Sequence, residues 1–78
     1  MSLKRPHNPM PDFVEAALTA QGLADTYAAR PPYQRNDYLG WIARAKREAT
    51  QAKRLQQMLD ELAAGDAYMG MKWRGKVG

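Results

Sequence analysis

The sequence predicts an all-α domain, a compact bundle of three to four helices with a C-terminal segment packed back on it. Three observations carry this: apolar residues recur at helical spacing in several stretches, no run alternates with a strand's period, and Pro or Gly punctuates the stretches at their ends. Seventy-eight residues suffice for one core and no more. The chain has no cysteine and a single histidine, so neither a disulfide nor a metal staple is expected and helix packing must supply the stability.

Residues 1–10 carry Pro6 and Pro9 with few apolar groups and read as a flexible N-terminal arm. Pro11 suits a first helical turn, and Asp12 and Glu15 place negative charge near the helix's positive end. Phe13, Ala16, Ala17 and Ala20 mark an apolar stripe widened by Val14 and Leu18, and Gly22 is a stop, which predicts a helix over 11–21. Leu23 to Ala29 fits two further turns ended by Pro31-Pro32, which also open a third helix. There Tyr38, Trp41, Ile42 and Ala45 follow one face. Gly40 sits mid-helix at a cost of about 1 kcal/mol, and close approach by another helix is the expected compensation. A turn near Arg47-Glu48 leads to a helix over 48–64 with Ala52, Leu55, Leu59 and Leu62 as its inner seam, Met58 beside it and Gly65 as its stop.

Tyr68, Met69, Met71 and Trp73 give the last segment too much apolar surface for a solvated tail. One helical domain over 11–73 is therefore expected, with 74–78 loose. The expected core comprises Phe13, Leu18, Leu23, Tyr27, Tyr38 and Trp41 from the first three helices, and Ile42, Leu55, Leu59 and Leu62.

Tyr38, Trp41-Ile42, Ala45-Lys46-Arg47, Thr50 and Lys53-Arg54-Leu55 together resemble the signature of the bacteriocin-protection family, also called YdeI or OmpD-associated. Leu59, Leu62 and Gly65 are similar to its leucine-rich helix ending in glycine, and the ending Tyr68 to Trp73 is similar to that of its stand-alone members. Tyr38, Trp41, Ile42, Ala45, Thr50 and Leu55 are its structural signature here. Two positions depart: Gln51 stands where the family often has arginine, and Tyr33 follows Pro32 where it often has serine. The resemblance implies a compact helical domain of a bacterial protein, linked to stress or antimicrobial-peptide tolerance through protein contacts. It implies no reaction.

The residues point the same way. Ser2 and His7 both lie in the arm, where nothing would position a nucleophile and its base. Asp60 and Glu61 are adjacent on a helix and diverge by about 100°, so they read as a solvated face or as partners of Lys and Arg. Asp37 has no second acid to work with. No ligands converge by spacing, so no metal and no cofactor is expected, and the methionines read as gap fillers and tail anchors. The run Gly70 to Lys76 matches a phosphate-loop pattern, but Val77 replaces the required Ser or Thr and no strand precedes it, so it is coincidence. Thr50 is expected to bond to nearby backbone.

The one candidate site is basic. Arg44, Lys46, Arg47, Lys53 and Arg54 gather around the turn between the third and fourth helices, against the single acid Glu48. With twelve Lys and Arg against eight Asp and Glu, such a group suits an acidic protein face, a phosphate or a nucleic-acid backbone. The alternative is that Arg44 and Arg54 lie over the core edge and pair with Asp37, Asp60 or Glu61. A non-enzymatic accessory or interaction domain is the expected class, with a nucleic-acid-binding helical domain as the alternative. No stretch approaches the about 20 apolar residues of a membrane span. The first residues lack a secretory apolar run, so the cytoplasm is expected.

Overall fold

A computed structural model of the protein describes residues 8–72 and holds four helices and a two-stranded hairpin. Helix α1 spans Asp12–Ala20, α2 Ala24–Ala28, α3 Pro32–Arg44 and α4 Glu48–Ala64. The hairpin pairs β1 (Ala67–Tyr68) with β2 (Met71–Lys72), antiparallel.

The punctuation read from the sequence acts as expected. Gly22 adopts φ 69°, and the Leu23 and Gly22 amides return to the Leu18 and Thr19 carbonyls at 2.8 and 3.1 Å. These two bonds make a Schellman stop, which lets α2 begin at once beside α1. Pro32 stands in the first turn of α3, and Gly65 ends α4 at φ 88°.

The core joins Val14 and Leu18 of α1, Tyr27 of α2, Tyr38, Leu39 and Ile42 of α3, and Met58, Leu59 and Leu62 of α4. Leu23, Trp41 and Leu55 are only partly buried and pack against its edge. Phe13 is not a core residue: it is 44% exposed, and Val14 takes its place. Val14 and Leu18 form a larger i, i+4 pair than Phe13 can make with the short alanines on its own stripe, so α1 is rolled toward them.

Helix α4 is also turned from its expected seam. Ala52 is exposed while Met58 is completely buried. The line Arg54, Met58, Glu61, spaced i, i+4, i+7, takes part in the contact with α3.

The nearest neighbours of Gly40 come from Asn8 and Arg44, not from another helix. A Cβ built there would stand 2.8 Å from Asn8 Nδ2 and 3.3 Å from Asn8 Cγ. The end of the N-terminal arm is anchored on α3. The Asn8 amide donates to Asn36 Oδ1 at 2.8 Å, and its side-chain NH₂ donates to the Asn36 carbonyl and to Oδ1, both at 3.1 Å. Met10 packs against the core. Residues 1–7, with Ser2 and His7, and residues 73–78, with Trp73 and the end expected to be loose, lie outside the described residues.

The C-terminal segment does fold back on the helices, as short strands that carry no periodicity to read. Its two-residue turn, Met69-Gly70, has φ 53° and 81°. Positive φ at both central residues is the primed geometry that suits a tight hairpin, and glycine is at ease in it while methionine is strained.

Candidate functional site

Two groups of polar side chains stand out, one buried and one exposed. The buried one centres on Glu61, which is 7% exposed and therefore not on a solvated face. Oε1 accepts from the Tyr38 hydroxyl and, at 2.7 Å, from the Met69 amide. Oε2 accepts from the Gly70 amide at 2.7 Å and from Gln57 Nε2 at 3.1 Å. Consecutive amides of a left-handed turn form a small anion-binding concavity, and here the anion is the protein's own carboxylate. Burial by itself would raise the Glu61 carboxyl, but the bonds from Tyr38, Gly70, Met69 and Gln57 outweigh it and hold it below its ordinary range. Tyr38 is pushed well above the usual phenol range by burial first and by Glu61 second.

The surroundings are equally engaged. Arg30, 4% exposed, donates to Gln34 Oε1 at 3.0 Å and to the Glu61 carbonyl at 3.2 Å. Gln34, wholly buried, donates to the Tyr33 hydroxyl. Asp37 accepts from the Tyr68 hydroxyl at 2.6 Å. The Tyr68 ring meets those of Tyr33 and Tyr38 edge-on at 6.0 and 5.5 Å. Among the described residues no buried side-chain nitrogen or oxygen lacks a hydrogen-bond partner. A cluster so fully satisfied ties α3, α4 and the hairpin together. Sequence reasoning missed Arg30, Gln34 and Glu61 because polar residues do not register on an apolar stripe. The usable signal was the i, i+4, i+7 line of Arg54, Met58 and Glu61.

The exposed group is the basic one. Arg44 ends α3, Lys46 and Arg47 lie in the connection, and Lys53 is on the outer side of α4; all four are exposed. Among the described residues none of them makes a hydrogen bond or an ion pair. Arg44 lies along its helix, with Nη1 3.3 Å from the position of a Gly40 Cβ. Arg54 is directed elsewhere: Nη1 donates to the Trp41 carbonyl at 2.7 Å, and the guanidinium stands 5.2 Å from the Trp41 ring centroid. It therefore covers the core edge, as its alternative reading had it, but its partner is Trp41 and not an acid.

Of the signature residues, Tyr38, Ile42 and Ala45 are buried, and Trp41, Thr50 and Leu55 are half-buried. The Thr50 hydroxyl makes no hydrogen bond among the described residues, contrary to expectation. Gln51, in the arginine position, bonds back to the Ala45 carbonyl at 3.3 Å and closes the α3–α4 connection.

Beside this connection an open groove of about 350 Å³ is lined by Phe13, Glu48, Gln51, Ala52 and Leu55. The described residues hold no cluster of three or more His, Cys, Asp or Glu that could bind a metal. No helix among them is long and apolar enough to cross a membrane. Gly70, the one described glycine of the phosphate-loop pattern, has its amide committed to Glu61.

Fold and site together define a small helical domain whose helices and hairpin are tied together by an internal carboxylate. The chain belongs to the bacteriocin-protection, YdeI or OmpD-associated family, whose family model matches residues 9–65. That match takes in all four helices and stops where Gly65 ends α4, so the hairpin lies beyond it. No curated protein and no solved structure matches the chain significantly.

Proposed function

We propose that this protein is a non-enzymatic bacterial accessory domain that engages an acidic face of a partner protein through the α3–α4 connection, and that it serves stress or bacteriocin tolerance by that contact. The observation that carries the reading is the contrast between its two polar groups. Glu61, Tyr38, Arg30 and Asp37 are spent on one another, on the hairpin and on the helix backbone, whereas Arg44, Lys46, Arg47 and Lys53 are exposed with no described partner. Exposed charges of one sign attract an oppositely charged surface over about 10 Å at 0.1 M salt. The family's name supplies the tie to bacteriocin protection.

Several features argue against a nucleic-acid recognition helix. On α4, Gln51, Arg54 and Gln57 bond to Ala45, Trp41 and Glu61, and Gln56 bonds to Asp60. Little but Thr50 and Lys53 is left to reach a base edge.

The test is charge reversal. Arg47→Glu with Lys53→Glu changes two exposed side chains, and Glu near the start of α4 favours the helix dipole, so folding is preserved. Binding of the purified protein to poly-L-glutamate at low salt, and crosslinking to bacterial lysate proteins, should both fall roughly tenfold or more in the double variant. Capture that does not change on charge reversal removes the reading. Binding of duplex DNA much tighter than that of poly-L-glutamate would favour the nucleic-acid alternative instead.

A further inference from the structure

We propose that the Ala67–Lys72 hairpin is a strap held shut by the ionised Glu61 carboxylate, and that protonating this one group opens the strap while the four helices stay folded. The donor set carries the inference. Every group that reaches the two carboxylate oxygens is a donor: the Tyr38 hydroxyl, the Met69 and Gly70 amides and Gln57 Nε2. An added proton gives Glu61 an O–H of its own in a shell whose two hairpin groups, the Met69 and Gly70 amides, can only donate; the groups able to accept it are the Tyr38 oxygen and, after a flip of its amide, Gln57 Oε1. If Tyr38 accepts that proton, its own proton is left without a place, because the described contacts of Tyr38 include no other acceptor. Either way the Met69 and Gly70 amides lose the ionised acceptor that both of them bond, and an O–H turned toward either amide displaces it.

The hairpin yields first. Tyr38 and Gln57 are built into α3 and α4, whereas Met69 and Gly70 belong to a two-residue turn on strands of two residues each. Met69 is held at φ 53°, a strained position for a non-glycine residue, and release relieves it. The strap is also held by the Tyr68–Asp37 bond, the ring contacts of Tyr68 and the packing of Tyr68 and Met69 on the core.

The other ionisable groups around Glu61 do not substitute for its charge. Arg30 donates to Gln34 and to the Glu61 backbone carbonyl, Tyr38 stays neutral, and Asp37 holds the other side of the strap through Tyr68. Opening would uncover Tyr38 and the adjoining flank of α4, an apolar face presented in acid and covered at neutral pH. The strap lies beyond residues 9–65, the stretch that the family model matches.

Amide exchange followed by NMR on the full chain tests this. As pH falls from about 7 through the range in which Glu61 titrates, below its ordinary value, Met69 and Gly70 should lose at least roughly tenfold of their protection, in step with the ¹³C shift of the Glu61 carboxyl. Ile42 and Leu59 should keep theirs. Glu61→Gln, which keeps the shape without the charge, should open the strap already at neutral pH; where that variant does not fold, the wild-type titration decides alone. Loss of Met69 and Gly70 protection only together with Ile42 and Leu59 overturns the strap. So does protection that persists after Glu61 has titrated.

Discussion

Glycine inside a helix is usually a defect, and replacing it by alanine should stabilise the protein by about 1 kcal/mol. At Gly40 the structure predicts the opposite sign. The new methyl carbon would sit 2.8 Å from Asn8 Nδ2, closer than such atoms pack, and a tight 3.3 Å from its Cγ. Asn8 cannot simply lean aside, because its NH₂ makes two bonds to Asn36 and its backbone amide a third. Losing the two side-chain bonds costs about 2 kcal/mol at about 1 kcal/mol each, against the gain of about 1 kcal/mol from helix propensity. Gly40→Ala should therefore destabilise by about 1 kcal/mol, which is roughly 4–8 °C in Tm for a domain of this size. Arg44, also 3.3 Å from the site, approaches through the end of a flexible side chain and can move. In an Asn8→Ala background the obstacle is gone, and the same Gly40→Ala change should stabilise by about 1 kcal/mol. The coupling of about 2 kcal/mol is the quantity to measure, by urea unfolding of the four proteins in a double-mutant cycle. Equal stabilisation by Gly40→Ala in both backgrounds would refute the packing of Asn8 on Gly40.

Two other outcomes follow from the buried cluster and the core. Glu61 is held below its ordinary value of 4.5, so its contribution to stability is complete above that pH and is lost as pH falls through the still lower value of the folded state. Tyr38→Phe removes one donor to that carboxylate; it should cost about 1.5–3 kcal/mol at neutral pH and make urea-unfolding stability fall less between about pH 5 and pH 3 than in the wild type. An undiminished acid slope would mean that Tyr38 contributes nothing to holding the charge. Phe13→Ser should cost under about 1 kcal/mol, because the ring is 44% exposed, while Leu62→Ala, at a residue 2% exposed, should cost about 2–5 kcal/mol; thermal unfolding separates them, and equal costs would put Phe13 back in the core.

Local signals set the helices themselves. Pro11, Gly22, Pro31-Pro32 and Gly65 act on the backbone within a turn of their own position, so the bounds of α1 and α4 and the start of α3 were legible to within a residue or so. Helix α3 stops at Arg44, before the turn expected near Arg47-Glu48, and Ala45 is already extended. The family resemblance was legible too, from Tyr38, Trp41-Ile42 and the basic residues after them. The exposed position of Arg44, Lys46, Arg47 and Lys53 agrees with their lying off the apolar stripes.

Which side of each helix turned inward was another matter. An apolar stripe wide enough to hold Phe13 and Val14, or Ala52 and Met58, permits several rolls about the helix axis, and only the neighbouring helix selects one. Polar residues escaped for a related reason: Glu61 reads as solvated until a turn eight and nine residues later brings two amides onto its oxygens. Asn8 against Gly40 is likewise a contact between distant parts of the chain. Spacing along the sequence determined the helices and their ends, because those depend on bonds within a turn. Tertiary structure alone decided what each face meets, because burial and hydrogen-bond satisfaction are properties of groups brought together from far apart.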